Sequence, residues 1–319
     1  MFLLFGLFVA CGKTEVIPSQ NAVVKQDAEP TESVESEKDL SEEETSQEDS
    51  SVEEREELQE GLQVKDENSE KETQEEIFFE DTIEDHPQQD HEEKEEAHAV
   101  GKMTEEVFIA KGGMTFRYYL YTPAKPKEGM PLIVYLHGGS GKPKSKEGDL
   151  SLLTAGDGLP KYVSDGDVAP DVFMIFPQLP YGNAGWSNVK DAFVLFVRYA
   201  ISTYKVNVDR VSLTGHSMGG KGTWDLALAA PSLFYKIAPL SGNVTTNAQN
   251  LEKLRDIPVW AVVGSEDEVV DPQSSVTFLT ELQKVNPNAK LTVIEGYGHF
   301  DVPAVYKSQE CRLLDWLVT

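Results

Sequence analysis

From residue 105 onward, apolar and polar positions recur in patterns that define elements. "EVFIA" (106–110), "MTFRYYLY" (114–121) and "PLIVYLHGG" (131–139) read as strands, the first two joined as a hairpin through Lys111-Gly112-Gly113. "DVFMIFP" (171–177) is a continuous apolar run, the pattern of a strand covered on both faces. Phe193, Phe196/Val197, Ala200/Ile201 and Tyr204 then fall three or four residues apart, so they share one face of a helix. "RVSLTG" (210–215) predicts the next strand, followed by a helix from about Gly219 to Ala230. The runs "YKIAPLSG" (235–242), "IPVWAVVG" (257–264) and "AKLTVIEG" (289–296) predict three more strands. Pro272 opens a helix carrying Phe278, Leu282 and Val285, and a last helix holds Leu313, Leu314 and Leu317. Antiparallel strands followed by alternating strand and helix predict an α/β fold: a mostly parallel central sheet flanked by helices on both faces.

The chain before this region has a different texture. Residues 12–103 are dominated by Glu, Ser, Gln and Asp, as in "SEEETSQEDSSVEEREELQE". Such a segment buries too little apolar area to offset the entropy of ordering it, so a disordered acidic linker is expected. The charge follows the same division. Residues 1–100 hold 32 Asp/Glu against 7 Lys/Arg, whereas residues 101–319 hold 23 against 21, so all but two of the 27 net negative charges lie before residue 101. The near-neutral remainder offers no electrostatic footprint for nucleic acid. His86, His91 and His98 are scattered among the linker carboxylates without the spacing of a metal site, and no metal or cofactor is expected.

Residues 1–11, "MFLLFGLFVAC", are apolar but too few to span a bilayer, which needs about 20 residues. They read as a signal peptide in which Phe8-Val9-Ala10-Cys11 resembles a bacterial lipobox, although no Lys or Arg precedes the apolar run. Cys11 is then the lipid attachment point, and the expected location is extracytoplasmic, anchored to the bacterial cell membrane, with plain secretion as the alternative. Only Cys11 and Cys311 are present, which excludes a disulfide framework and leaves Cys311 as a packed or idle thiol. The organisation expected is therefore a signal segment (1–11), a linker (12–103) and one catalytic-sized domain (104–319).

Chemistry enters at "LTGHSMGGKG" (213–222), where Ser217 lies between glycines after an apolar strand and before a helix. A seryl hydroxyl becomes a useful nucleophile only with a base in reach, a carboxylate behind the base, and donors for the oxyanion. Three of the six histidines lie in the linker. His216 adjoins Ser217 on the turn and is poorly aimed, and His137 ends a strand where it can fix a loop, so His299 in "EGYGHFD" is the expected base. The acid is sought after "IPVWAVVG", where Asp267 is the first choice among Glu266, Asp267 and Glu268, with Asp271 in reserve and Asp301 read as a local loop contact. The oxyanion donors expected are the amides of Met218 and of Gly139, with Gly138 beside it in "LHGGSG" (136–141). Trp186 in "YGNAGWSN" is a candidate substrate contact.

The stretches "YLHGGSG", "DRVSLTGHSMGGKGTWDLAL", "IPVWAVVGSEDEVV" and "GYGHF" together resemble the α/β-hydrolase superfamily over residues 131–319. Within it, the chain is similar to the secreted predicted-peptidase and phospholipase/carboxylesterase-like esterases, relatives of feruloyl esterases and polyhydroxyalkanoate depolymerases. The resemblance implies an α/β-hydrolase fold and a serine ester hydrolase of the carboxylesterase type, working through an acyl-enzyme without a cofactor. A serine peptidase of the same fold and a non-catalytic binding module are the alternatives. Ser217 and Asp267 are fifty residues apart, room for a helix, a strand and loops but not for a large cap domain. An open site of that kind suits an ester on a bulky extracellular molecule, such as one linked to a polysaccharide.

Overall fold

The computed structural model describes residues 101–319. The signal segment, Cys11 and nearly all of the linker therefore lie outside the described residues. Eight strands form one sheet: β1 (Lys102–Ile109), β2 (Thr115–Thr122), β3 (Leu132–Leu136), β4 (Phe173–Pro177), β5 (Val211–His216), β6 (Lys236–Leu240), β7 (Val259–Gly264) and β8 (Ala289–Ile294). Their order across the sheet is β1-β2-β4-β3-β5-β6-β7-β8. β2 pairs antiparallel with β1 and β4, and every pairing from β4 to β8 is parallel. This is the mostly parallel α/β arrangement expected from the pattern.

Among the described residues, six α-helices accompany the strands: α1 (Leu159–Ser164), α2 (Lys190–Thr203), α3 (Met218–Ala229), α4 (Ala248–Lys253), α5 (Pro272–Leu282) and α6 (Leu313–Val318). They build two apolar layers, as the unbroken apolar runs require. Along β3, Leu132, Val134 and Leu136 face a layer containing Phe193, Phe196 and Phe278, while Ile133 and Tyr135 face one containing Leu159, Leu313 and Leu317. The period of two places successive residues on opposite faces, and both faces are covered. β1 is an edge strand, and Val107 and Ile109 remain exposed on it.

Two details depart from the sequence expectation. β1 starts at Lys102, two residues before the expected domain boundary, because residues 102–105 pair with Tyr119–Thr122 of β2. α5 ends at Leu282, so Val285 lies beyond it and is largely exposed. Cys311 is buried in the second layer. α1 and α4 span six residues each, too few to show a helical period.

The last helix is fastened to the middle of the sheet by side chains. The buried Ser212 hydroxyl on β5 donates to the Leu317 carbonyl at 2.6 Å, and the Lys236 ammonium on β6 donates to the Trp316 carbonyl at 2.9 Å. Helix-end carbonyls that would otherwise lack partners are satisfied in this way.

Candidate active site

Ser217 sits between the end of β5 and the start of α3, with φ 60° and ψ −121°. A non-glycine residue there carries strain of order 1–3 kcal/mol and persists only where its surroundings enforce it. The surroundings are backbone. The Ser217 amide donates to the Leu240 carbonyl at 3.0 Å, and its own carbonyl accepts from the Lys221 amide at 2.9 Å. A Cβ on Gly219 would run into the Leu136 carbonyl, and one on Gly220 into that of Leu240. Glycine at both positions lets α3 press against β3 and β6, which leaves the serine side chain at the sharp end of the turn.

His299 and Asp267 approach from the loops after β8 and β7. The Ser217 Oγ lies 2.9 Å from His299 Nε2, and His299 Nδ1 lies 2.8 Å from Asp267 Oδ2 and 3.0 Å from Oδ1. A carboxylate only accepts, so Nδ1 carries the proton and the lone pair of Nε2 faces the hydroxyl. The side chains of His299 and Asp267 are 3% and 0% exposed, which removes competing water from the bond between them. Burial alone would raise the Asp267 pKa. The Val270 amide at 2.8 Å, the His299 ring and the Val269 amide at 3.0 Å outweigh it and hold the carboxyl below its ordinary range.

The other carboxylates considered from sequence have different places. Glu266 and Glu268 are exposed. Asp271 caps α5, accepting from the Gln273 amide at 2.9 Å. Asp301 accepts from the Gly298 amide at 2.9 Å, a contact within its own loop.

Opposite the serine lies the loop after β3. His137 Nε2 accepts from the Leu179 amide at 2.9 Å, so its Nδ1 carries the proton and donates to the Gly138 carbonyl at 2.6 Å. Burial holds this histidine down at about 4, so it stays neutral near pH 7. Gln178, which sequence reasoning missed, ties the same loop to the end of β4. Its amide donates to the carbonyls of Gly141 and Asp149 and accepts from the Asp149 amide. Among the described residues, the amides of Gly138, Gly139 and Met218 have no hydrogen-bond acceptor. Gly138 packs directly against Ser217, since a Cβ built on it would lie 3.4 Å from the serine Cβ.

Trp186 differs from its sequence reading, and His216 has a partner that the reading did not include. Trp186, expected at the site, is 1% exposed; its indole donates to the His137 carbonyl at 3.2 Å and its ring packs on Phe193. The absence of a side chain on Gly222 makes room for it, so the tryptophan is an interior support of the loop rather than part of the cavity wall. His216, passed over because it adjoins Ser217, is buried with Nε2 2.8 Å from the His299 carbonyl, to which it donates. Its ring lies 4.6 Å from the His299 ring, and burial, aided by the neighbouring imidazole, holds it down at about 4.

A cavity of about 520 Å³ opens onto Ser217 and His299, lined by Gly138 to Gly141, Leu152, Leu153, Val269 and Phe300 among others. Among the described residues, Asp157 is its lone acidic lining residue and no Lys or Arg borders it. Among the described residues no cluster of His, Cys, Asp and Glu is placed to hold a metal ion, and no helix is long and apolar enough to cross a membrane.

The sequence profile of the Esterase family matches residues 109–308, a stretch holding the serine, the histidine and the aspartate. The chain belongs to the Esterase family. Over 165 residues, half of this chain, it is 26% identical to the bifunctional acetylxylan esterase/xylanase XynS20E of Neocallimastix patriciarum, of which it spans 23%. The esterase fold is shared with a solved thermostable esterase at 24% identity and a TM-score of 0.54, covering 67% of this chain and 62% of that one. It is shared too with the feruloyl esterase module from Clostridium thermocellum, solved as its S954A mutant with sinapinate. That match has 17% identity and a TM-score of 0.53, over 67% and 89% of the two chains.

Proposed function

We propose that this esterase cleaves its substrate through Ser217, with His299 as base and Asp267 as the group that orients and stabilises the imidazole. The observation that carries the reading is the unbroken chain of bonds from Asp267 through His299 to the Ser217 hydroxyl. In the first step His299 Nε2 takes the seryl proton as Oγ attacks the ester carbonyl. The negative charge that develops on the carbonyl oxygen is met by the amides of Met218 and Gly139, with Gly138 alongside. His299 then gives its proton to the departing alcohol oxygen, leaving an acyl group on Ser217. A water molecule, deprotonated by the same nitrogen, releases the acid. His137 holds the donor loop without titrating.

The cavity favours an uncharged ester. Among the described residues it carries no cation to hold an acidic substrate, and the Asp157 carboxylate repels one. A site shaped by loops suits an ester projecting from a larger molecule, such as one linked to a polysaccharide, and the acetylxylan and feruloyl names of its relatives accord with that. The signal-like start and Cys11 support an extracytoplasmic protein held to the membrane by lipid, with residues 12–103 as the spacer. The test is labelling by a fluorophosphonate, which reacts only with an activated serine. Wild type should be labelled; Ser217→Ala should not, and its turnover of a small neutral ester should fall at least about a thousandfold with the fold retained. Near-normal turnover by Ser217→Ala would overturn the mechanism.

A further inference from the structure

The mechanism requires one protein group to meet the departing alcohol. His299 Nε2 must come within hydrogen-bond reach of the leaving oxygen, so the alcohol portion of the substrate lies against whatever surrounds the His299 ring. On that side the cavity wall is apolar and open to solvent. Phe300 follows His299 directly, its ring centroid 5.1 Å from the imidazole centroid at 86°, and it is 76% exposed. Val269, whose amide bonds to Asp267, lies on the same side and is 61% exposed. Both line the cavity, whereas the charged Asp157 and the candidate oxyanion donor Gly139 come from other loops that line it. Neither apolar side chain is needed to seal the core. A phenylalanine so exposed beside the proton-transfer atom is placed to be covered by substrate.

We infer that Phe300 and Val269 form a leaving-group subsite that takes the flat face of a ring-bearing alcohol. This rests on the roles given above to Ser217 and His299. A six-membered ring laid on the phenyl face removes apolar area from both partners, and a pyranose offers its C–H face as an aromatic alcohol offers its π face. Removing roughly 50 Å² from water corresponds to about a tenfold preference over a short acyclic alcohol. The effect has a kinetic signature. The alcohol has left before deacylation, so the subsite acts on formation of the acyl-enzyme and not on its hydrolysis. It should also hold an incoming alcohol, which attacks the acyl carbon, passes its proton to His299 and restores the Ser217 hydroxyl.

The test uses three acetates with one common acyl-enzyme: ethyl acetate, benzyl acetate and an acetylated methyl pyranoside. Phe300→Ala should lower the ratio of kcat/KM for benzyl over ethyl acetate about tenfold, and Phe300→Trp should restore it. The pyranoside should follow benzyl acetate. In the presence of benzyl alcohol, Phe300→Ala should divert less of the acetyl group from water to benzyl acetate, while the rate of deacylation by water stays as in wild type. An unchanged benzyl-to-ethyl ratio, or a fall in deacylation equal to that in acylation, would overturn the subsite. A pyranoside that ignores the substitution while benzyl acetate responds would restrict it to aromatic alcohols and refute the sugar arm. Failure of the Ser217 reading is a separate outcome, seen as a wild type that the fluorophosphonate does not label or a Ser217→Ala variant that it still labels.

Discussion

Replacing Asp267 with Asn tests the hydrogen-bond direction on which the mechanism depends. In the native protein Oδ1 accepts from the amides of Val269 and Val270 at 3.0 and 2.8 Å, while Oδ2 accepts from His299 Nδ1 at 2.8 Å. An asparagine has one oxygen. If that oxygen keeps the two backbone amides, its NH₂ group faces His299 Nδ1, which must then accept. The ring proton moves to Nε2 and points at Ser217 Oγ, so the base is lost. Flipping the amide restores the tautomer but leaves two part-buried backbone donors unpaired, at up to about 1–3 kcal/mol each. The charge that stabilises the imidazolium is also gone. Together these should lower kcat/KM on a small neutral ester by about 10³ to 10⁴. Asp271→Asn is the matched control, because Asp271 is a helix cap and asparagine caps as well as aspartate. It should stay within about twofold of wild type. Steady-state rates, with thermal melts to show that both variants fold, give the result. A loss under tenfold for Asp267→Asn, or a larger loss for Asp271→Asn, would refute the assignment.

The same structure gives further expectations. His216→Ala removes the donor to the His299 carbonyl and should lower kcat by about tenfold or more with little change in KM, whereas His216→Gln, which can replace the donor, should recover most of the loss. His137 and His216 are both held at about 4, while an unfolded histidine titrates near 6.5. Between these values the unfolded state binds more protons, so stability should be full above about pH 6.5 and fall as pH drops toward 4, by up to about 3 kcal/mol per histidine. Urea midpoints that stay flat from pH 7 to 4.5 would contradict this. A chain begun at residue 101 retains all eight strands and should melt and turn over small esters as the full chain does; a lowered melting temperature would mean that linker residues support the domain.

How far the site was legible in the sequence depends on what fixes each residue. Ser217 and His299 stood out because their chemistry needs scarce residue types at strand ends, and only three histidines lie outside the linker. Among the neighbouring carboxylates the choice was harder, yet a signal was present: Asp271 precedes Pro272, the pattern of a helix cap, which assigns that residue elsewhere. Trp186 was misread because an aromatic side chain in a polar, glycine-rich loop looks exposed. Its burial depends on the missing side chain of Gly222, 36 positions away, which no local pattern reports. His216 was passed over for a similar reason, since its partner is a backbone carbonyl 83 residues downstream. The sheet itself was readable because strands covered on both faces leave unbroken apolar runs.

The fastening of α6 bears on when the domain can form during synthesis. Ser212 and Lys236 lie on the two strands that flank the nucleophile turn, and both remain without acceptors until Trp316 and Leu317 arrive. A nascent chain could pair its strands early, but the buried hydroxyl and ammonium would hold the sheet centre open to water. The strand bearing the serine is thus sealed only when residues near 317 have left the ribosome. A chain interrupted before residue 316 would expose a loosened, apolar sheet to proteases.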